Sequence, residues 1–542
     1  MNVPPPAWAA ELPPCRDVWT AMRDGVRLAA TVWLPEPRGG HPVLLARTPY
    51  GRGPHGPGLR LDVARLLAAG YAVMVQDVRG TGESEGDLRF LTGEAADGHD
   101  TVTWAAHQQW CDGQVGMFGD SYLGIAQLLA ASERPDGLRA IAPSVSPAGL
   151  HDVVYAGGVP RLGVVLPVLA TVIAPLQRAR RARLAPGEHG RPDAPPARLD
   201  EMLRRLPVED QPEIADAVPF YADWLTHPDP SHELWRDAGL EARYGKIEVP
   251  ALLSTGWYDY FRDSTVRTYH ALRDRARLVV GPWTHALRER TLAGRDHGEH
   301  ASGEAVDWTG LHLDWFGHWM RGTPLRDDAK VRVFVTGACA WREMADWPPE
   351  GEAVRYHLGD GGALGPEAAL CASFLSDPGD PVPTMGGDVL EFLPPGPGPV
   401  DQRPLAGRAD VLRYTTEPLP APLQVMGAAE LVVTAESDAA RSTVTGKLVD
   451  VCPDGREEIL VDGVALVADC AARPERVRVL LGNLAHVFRA GHRLRVEVAG
   501  SNFPKYARHP SAARITIGAP SYLLLPVAGR PRSSRGDVRP RS

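Results

Sequence analysis

Six cysteines, at positions 15, 111, 339, 371, 452 and 470, are spread over 542 residues without one C-x-x-C pair. That argues against a zinc ribbon or a dense disulfide framework and fits reduced thiols in a cytoplasm. No basic stripe with interleaved aromatics occurs, and the net charge of −9 is modest for this length, so nucleic acid has no electrostatic footprint. The first residues, MNVPPPAWAAELPPCRDVW, lack the positive and apolar regions of a signal peptide. The longest apolar run, about Leu162 to Leu176, is interrupted by Pro167 and Pro175 and falls short of the roughly 20 residues that a membrane span needs. A buried or cap helix is expected there, with no membrane partner.

What is present is an ordinary globular composition, 44% hydrophobic and 23% charged, in a chain long enough for two to four domains. In the first third, strand-like and helix-like segments alternate, the pattern of a mostly parallel sheet covered on both faces. Strands are predicted at Arg27–Leu34, Pro42–Arg47, Tyr71–Gln76, Val115–Phe118 and Leu138–Pro143, and helices over Glu94–Trp110 and Leu123–Ser132. From about His151 to Gly239 strand alternation stops, which suggests an inserted helical cap. Strands resume at Ile247–Ser254 and Ala276–Val280. The segment Glu304–Met320 carries Trp308, Leu311, Trp315 and Trp319 at helical spacing and reads as core. Beyond about residue 350, short strands such as Glu430–Thr434, Thr443–Val449 and Arg493–Val498 recur between Gly/Pro turns, as in a β-sandwich or jelly roll. The final GRPRSSRGDVRPRS, with five arginines and no apolar run, reads as a disordered tail.

The segment Gly119-Asp120-Ser121-Tyr122-Leu123-Gly124 lies where an apolar strand meets an apolar helix. A serine on such a sharp turn projects its hydroxyl above the sheet, where the helix N-terminus favours developing negative charge. The match departs from strict G-x-S-x-G, because Leu123 stands where the second glycine belongs. A hydroxyl is a weak nucleophile and needs a histidine base oriented by a carboxylate. Asp259, in STGWYD, and His285, in RLVVGPWTH, each follow a predicted strand, and the order Ser, Asp, His suits an α/β-hydrolase. The Tyr122 N–H is one candidate oxyanion donor, and Tyr50, in RTPYG, is the second.

The series RTPYGR, QDVRGTGESEG, GDSYLG, GWYDYF and GPWTH, followed by PVPTMGG, DQRPL and SNFPKYARHP, resembles the cocaine esterase and X-prolyl dipeptidyl peptidase family. The resemblance spans nearly the whole chain. It implies an α/β-hydrolase domain, a helical cap and a C-terminal jelly roll, which with the tail divide the chain into a hydrolase domain in two parts (1–150 and 241–348), a cap (151–240), a jelly roll (349–528) and a disordered tail (529–542). It places the triad on Ser121, Asp259 and His285, and the oxyanion hole on the Tyr50 hydroxyl and the Tyr122 N–H. Members that act on α-amino esters carry acidic residues just after the aspartate, whereas this chain has Tyr260 and Phe261. A small-molecule ester with an uncharged acyl group is therefore the expected substrate, without a cofactor. Amide cleavage, by an X-Pro dipeptidyl peptidase or an acylase, is the alternative, and a binding module with a vestigial triad is a remote one. The sequence leaves the oligomeric state open.

Two further signals are weighed as structural. Asp296-His297-Gly298-Glu299-His300 holds four donors, but not at the helical H-E-x-x-H spacing of a metal site, and reads as a solvated loop. The Gly80–Gly86 segment has the glycine density of a phosphate cradle, but no following lysine and two carboxylates.

Overall fold

The computed structural model describes residues 12–36, 39–53, 56, 59–182, 198–326, 329–368, 372–468 and 474–529. The predicted tail lies outside these residues apart from Gly529. A ten-stranded mixed sheet forms the first layer. Its strands are β1 (Arg16–Ala21), β2 (Arg27–Trp33), β3 (His41–Thr48), β4 (Ala72–Asp77), β5 (Cys111–Asp120), β6 (Leu138–Ser144), β7 (Ala251–Tyr258), β8 (Ala276–Thr284), β9 (Val331–Val335) and β10 (Ala340–Met344). They are ordered β1-β2-β4-β3-β5-β6-β7-β8-β9-β10. From β4 to β9 all pairs are parallel, and β1, β2 and β10 add antiparallel edges.

β3, β4 and β7 are mostly apolar and buried over nearly their whole length, as a sheet covered on both faces requires. Helices α1 (Glu94–Ala106) and α2 (Tyr122–Ser132) follow β4 and β5, and every residue of α2 is buried. The predicted Glu94–Trp110 helix stops at Ala106. β7 and β8 run four residues beyond the predicted ends, so the catalytic candidates stand directly at the strand tips.

Between β6 and β7 the chain forms short helices, including Leu162–Val168, a π-helical turn at Leu169–Ile173 and Ala174–Arg181. These three are consecutive. The run of 20 residues is therefore long and apolar enough to cross a membrane, contrary to the length expected from its prolines, but 72% of its apolar window is buried inside the protein. Proline lacks a donor N–H, and the backbone widens from α to π just ahead of Pro175 instead of ending.

The helix Trp308–Arg321 carries the predicted tryptophan stripe. Trp315 is buried against β6, its indole N–H donating to the Ile141 carbonyl, but Trp319 is 43% exposed, so the stripe is core only in part. Beyond residue 350 two antiparallel sheets, one of six strands and one of four, enclose their own core around Leu431, Leu448, Val479 and Val496. The family-like motifs of this region meet at one buried cluster. Lys505 Nζ bonds Asp462 at 2.6 Å and also Asp388, Asn502 holds the other Asp462 oxygen at 2.6 Å, and Gln402 accepts from Lys447 at 3.1 Å.

Candidate active site

The strand tips bring the predicted residues together. β7 and β8 pair in parallel, with Gly256 opposite Gly281 and, past a bulge, Tyr258 opposite Thr284, so Asp259 and His285 leave the sheet side by side. The bulge has a steric cause. A Cβ on Gly256 would lie 2.1 Å from the Trp283 carbonyl oxygen, and one on Gly281 would lie 2.2 Å from the Trp283 ring. His285 Nδ1 meets Asp259 Oδ1 at 2.8 Å, and the other Asp259 oxygen accepts from the Thr255 hydroxyl at 2.7 Å. Asp259 is fully buried, and the His285 side chain is 15% exposed. Tyr260 stacks on the imidazole at 4.3 Å and 19°, while Phe261 meets it edge-on at 5.8 Å.

Ser121 follows the last residue of β5 and caps α2 with φ 59° and ψ −116°, a left-handed conformation costly for a non-glycine residue. Its backbone N–H is held by the Ser144 carbonyl of β6 at 2.9 Å. The displaced glycine of the motif is explained by packing. A Cβ on Gly119 would strike Leu123 at 2.6 Å, and one on Gly124 would lie 3.0 Å from the Ser144 oxygen, so both positions need glycine and Leu123 fills the gap. The Ser121 hydroxyl makes no hydrogen bond to His285 among the described residues. Such contacts commonly tighten only with substrate bound.

Tyr122 is the first residue of α2, where a helical N–H has no acceptor within its own helix. Its side chain anchors it, the hydroxyl donating to Glu94 at 3.1 Å and accepting the Leu91 N–H at 3.2 Å. Glu94 in turn pairs with buried Arg47 at 2.5 Å. Burial pushes the Glu94 carboxyl above the ordinary carboxylate range, against the pull of Arg47. Tyr50 faces Tyr122 edge-on, ring centroids 6.5 Å apart.

Ser121, His285, Tyr50 and Tyr122 all line one cavity of about 270 Å³. The rest of its wall is largely apolar: Phe90, Val165, Val168, Leu169, Val172 and Trp224, most of them from the helices between β6 and β7. Among the described residues Asp120 is the one carboxylate on the wall, and it is paired with Arg60. Sequence reasoning missed Arg60, a single arginine in a Gly/Pro-rich loop with no pattern to mark it. It also missed Thr255, whose hydroxyl holds the Asp259 carboxylate.

The two structural signals separate. Gly80–Gly86 is a folded turn: a Cβ on Gly82 would overlap the Asp77 carboxylate, and the Ser84 hydroxyl donates to the Asp77 carbonyl. The 296–300 segment is largely the solvated loop expected, with Asp296, Glu299 and His300 exposed, except at one residue. Asp296 pairs with Arg290 and His300 bonds the Cys339 carbonyl, but His297 is 2% exposed and neither ring nitrogen has a partner. Elsewhere Asp450, Cys452 and His492 come within 4.8 Å of one another, but the two Asp450 oxygens already accept from His486 and His492.

Residues 24–287 match the X-Pro dipeptidyl-peptidase (S15 family) model, and residues 325–524 match the X-Pro dipeptidyl-peptidase C-terminal non-catalytic domain. The chain is 36% identical to a cocaine esterase from Rhodococcus sp., covering 95% of this chain and 98% of that one. An α-amino acid ester hydrolase structure superposes with a TM-score of 0.80 at 23% identity, covering 97% of this chain and all of the other. An aminopeptidase from a marine sediment Thaumarchaeota archaeon gives 0.81 at 23% identity, covering 98% and 99%. The chain has the α/β-hydrolase fold and belongs to the serine hydrolase family of cocaine esterase and the S15 X-Pro dipeptidyl peptidases.

Proposed function

We propose that this enzyme hydrolyses esters of bulky, uncharged acyl groups, with Ser121 as nucleophile, His285 as base and Asp259 as the group that orients it. In this reading His285 takes the Ser121 proton, the serine oxygen attacks the ester carbonyl, and the tetrahedral oxyanion is held by the Tyr122 N–H and the Tyr50 hydroxyl. Collapse expels the alcohol, protonated by His285. Water, giving a proton to His285, then attacks the acyl-enzyme, and His285 passes that proton to the Ser121 oxygen as the acid leaves, which restores the free enzyme.

The observation that carries the reading is the Asp259–His285 pair beside Ser121 in a largely apolar cavity. The same cavity favours esters over peptides with a free N-terminus. A dipeptidyl peptidase must grip an ammonium group, and among the described residues the one carboxylate on this wall is already neutralised by Arg60. Amide cleavage is the second reading, because residues 24–287 resemble the X-Pro dipeptidyl peptidases.

A fluorophosphonate probe combined with a substrate panel tests this. Wild-type enzyme should label, Ser121→Ala should not, and p-nitrophenyl esters should be cleaved far faster than X-Pro-anilides. Faster anilide turnover would replace the ester reading with the peptidase one, and labelling that survives Ser121→Ala would remove the nucleophile.

A further inference from the structure

Ser121 and His285 extend from strands that do not touch: β6 and β7 lie between β5 and β8. The two are joined by backbone ladders only indirectly, through β5–β6, β6–β7 and β7–β8, so any shift in the intervening strands changes the spacing between hydroxyl and imidazole. One side chain crosses the gap. Arg60 donates from Nε to the carboxylate of Asp120, the residue before Ser121, from Nη2 to the His285 carbonyl at 2.7 Å, and from Nη1 to the Ala286 carbonyl. The three acceptors lie 60, 225 and 226 residues away in sequence. Asp120 is nearly buried, its side chain 7% exposed, so the pair is shielded from solvent on one side.

We propose that Arg60 is a positioning residue that fixes the nucleophile turn and the base loop relative to each other. The proposal rests on the reading of Ser121 and His285 as nucleophile and base. Its physical basis is the planar guanidinium, which presents several donors in a rigid fork and can satisfy a carboxylate and two carbonyls at once. A lysine ammonium could meet Asp120 but is a compact point charge without that fork. Proton transfer requires the serine oxygen and the imidazole nitrogen within about 3 Å, and a misplacement of about 1 Å costs on the order of 100-fold in rate. Arg60 also stands between the acyl cavity and an outer cleft lined by Asp62, Arg65, Ala286, Arg288 and Trp308. The same clamp thus closes one wall of the cavity.

The test compares wild type with Arg60→Ala, Arg60→Lys, Asp120→Asn and the Arg60→Ala/Asp120→Asn pair. It reads fluorophosphonate labelling rate, kcat and KM on p-nitrophenyl hexanoate, and thermal midpoint. Arg60→Ala should lower kcat and labelling rate by about 10- to 100-fold with KM within about threefold. Arg60→Lys should fall between, and added guanidinium at millimolar, non-denaturing concentration should restore part of the Arg60→Ala activity. The double variant should lose little beyond the worse single one, because both break the same clamp. Should Arg60→Ala not fold, Arg60→Lys and Asp120→Asn carry the test. Labelling within threefold of wild type in folded Arg60→Ala, or a loss expressed only in KM, would overturn the proposal. A wild type that neither labels nor turns over esters would instead overturn the proposed function.

Discussion

Lengthening the acyl chain is the sharpest probe of the cavity. The wall formed by Val165, Val168, Leu169, Val172 and Trp224 offers apolar surface to each added methylene, which is worth about 0.8 kcal/mol when fully buried. If that energy is expressed in the transition state, kcat/KM should rise about fourfold per methylene, or on the order of 200-fold from acetate to hexanoate. The rise should then stop where the chain outgrows about 270 Å³ of space. The assay is a p-nitrophenyl ester series of increasing chain length, run with wild type and with Val168→Trp, which fills part of the cavity. The variant should move the optimum to shorter acyl groups and leave acetate within a few-fold. A second arm pairs the leucine ester with the 4-methylpentanoate ester, which differ by one ammonium group. Desolvating an unpaired ion costs several kcal/mol, so the leucine ester should be at least about 100-fold poorer. A flat series, or a leucine ester equal to its neutral counterpart, would refute the apolar-acyl reasoning.

Other outcomes follow from the same geometry. Tyr50→Phe, which removes one proposed oxyanion donor, should lower kcat by about 10²- to 10³-fold with little change in KM, as steady-state kinetics would reveal. Asp259→Asn should lower kcat by roughly 10⁴-fold while leaving the fold intact by circular dichroism, because the imidazole would be held in the wrong tautomer. His297 supplies a pH dependence. Burial pushes its imidazole down to about 4, so the unfolded state, near 6.5, binds the extra proton first. Stability should therefore be full above about pH 6.5, fall as the pH drops below it and level off near pH 4, a loss of up to about 3 kcal/mol. Urea denaturation at pH 7.5 and 4.5 should reveal it, and His297→Phe should shrink the difference; an unchanged difference would show that other groups cause it.

The catalytic candidates were legible because each sits at a change of pattern. GDSYLG marks the passage from a buried strand to a buried helix, and GWYD and GPWTH mark strand ends whose glycines have a steric purpose that the Trp283 contacts make plain. The central strands were legible for the same reason, as unbroken apolar runs. β1 was not, since it is a half-exposed edge strand with no clean alternation, and β10, half-exposed as well, carries Arg342 and Glu343. Trp319 misled because helical spacing defines a face but not how far a neighbour covers it. Arg60 left no trace at all, because its meaning lies in partners brought near by the fold rather than by sequence. His297 looked like part of a polar loop, and its burial depends on contacts such as that with Phe334.

The C-terminal region does more than follow the hydrolase sheet. Trp347, Leu390, Leu393 and Phe503 belong to the same apolar cluster as the central strands, and Glu391 shares the Thr284 hydroxyl with Glu289, at 3.0 and 2.7 Å, one residue before the proposed base. A chain cut near residue 325 would thus open an oily wall to water and withdraw a brace from behind the imidazole, so the two regions should live and melt as one cooperative unit.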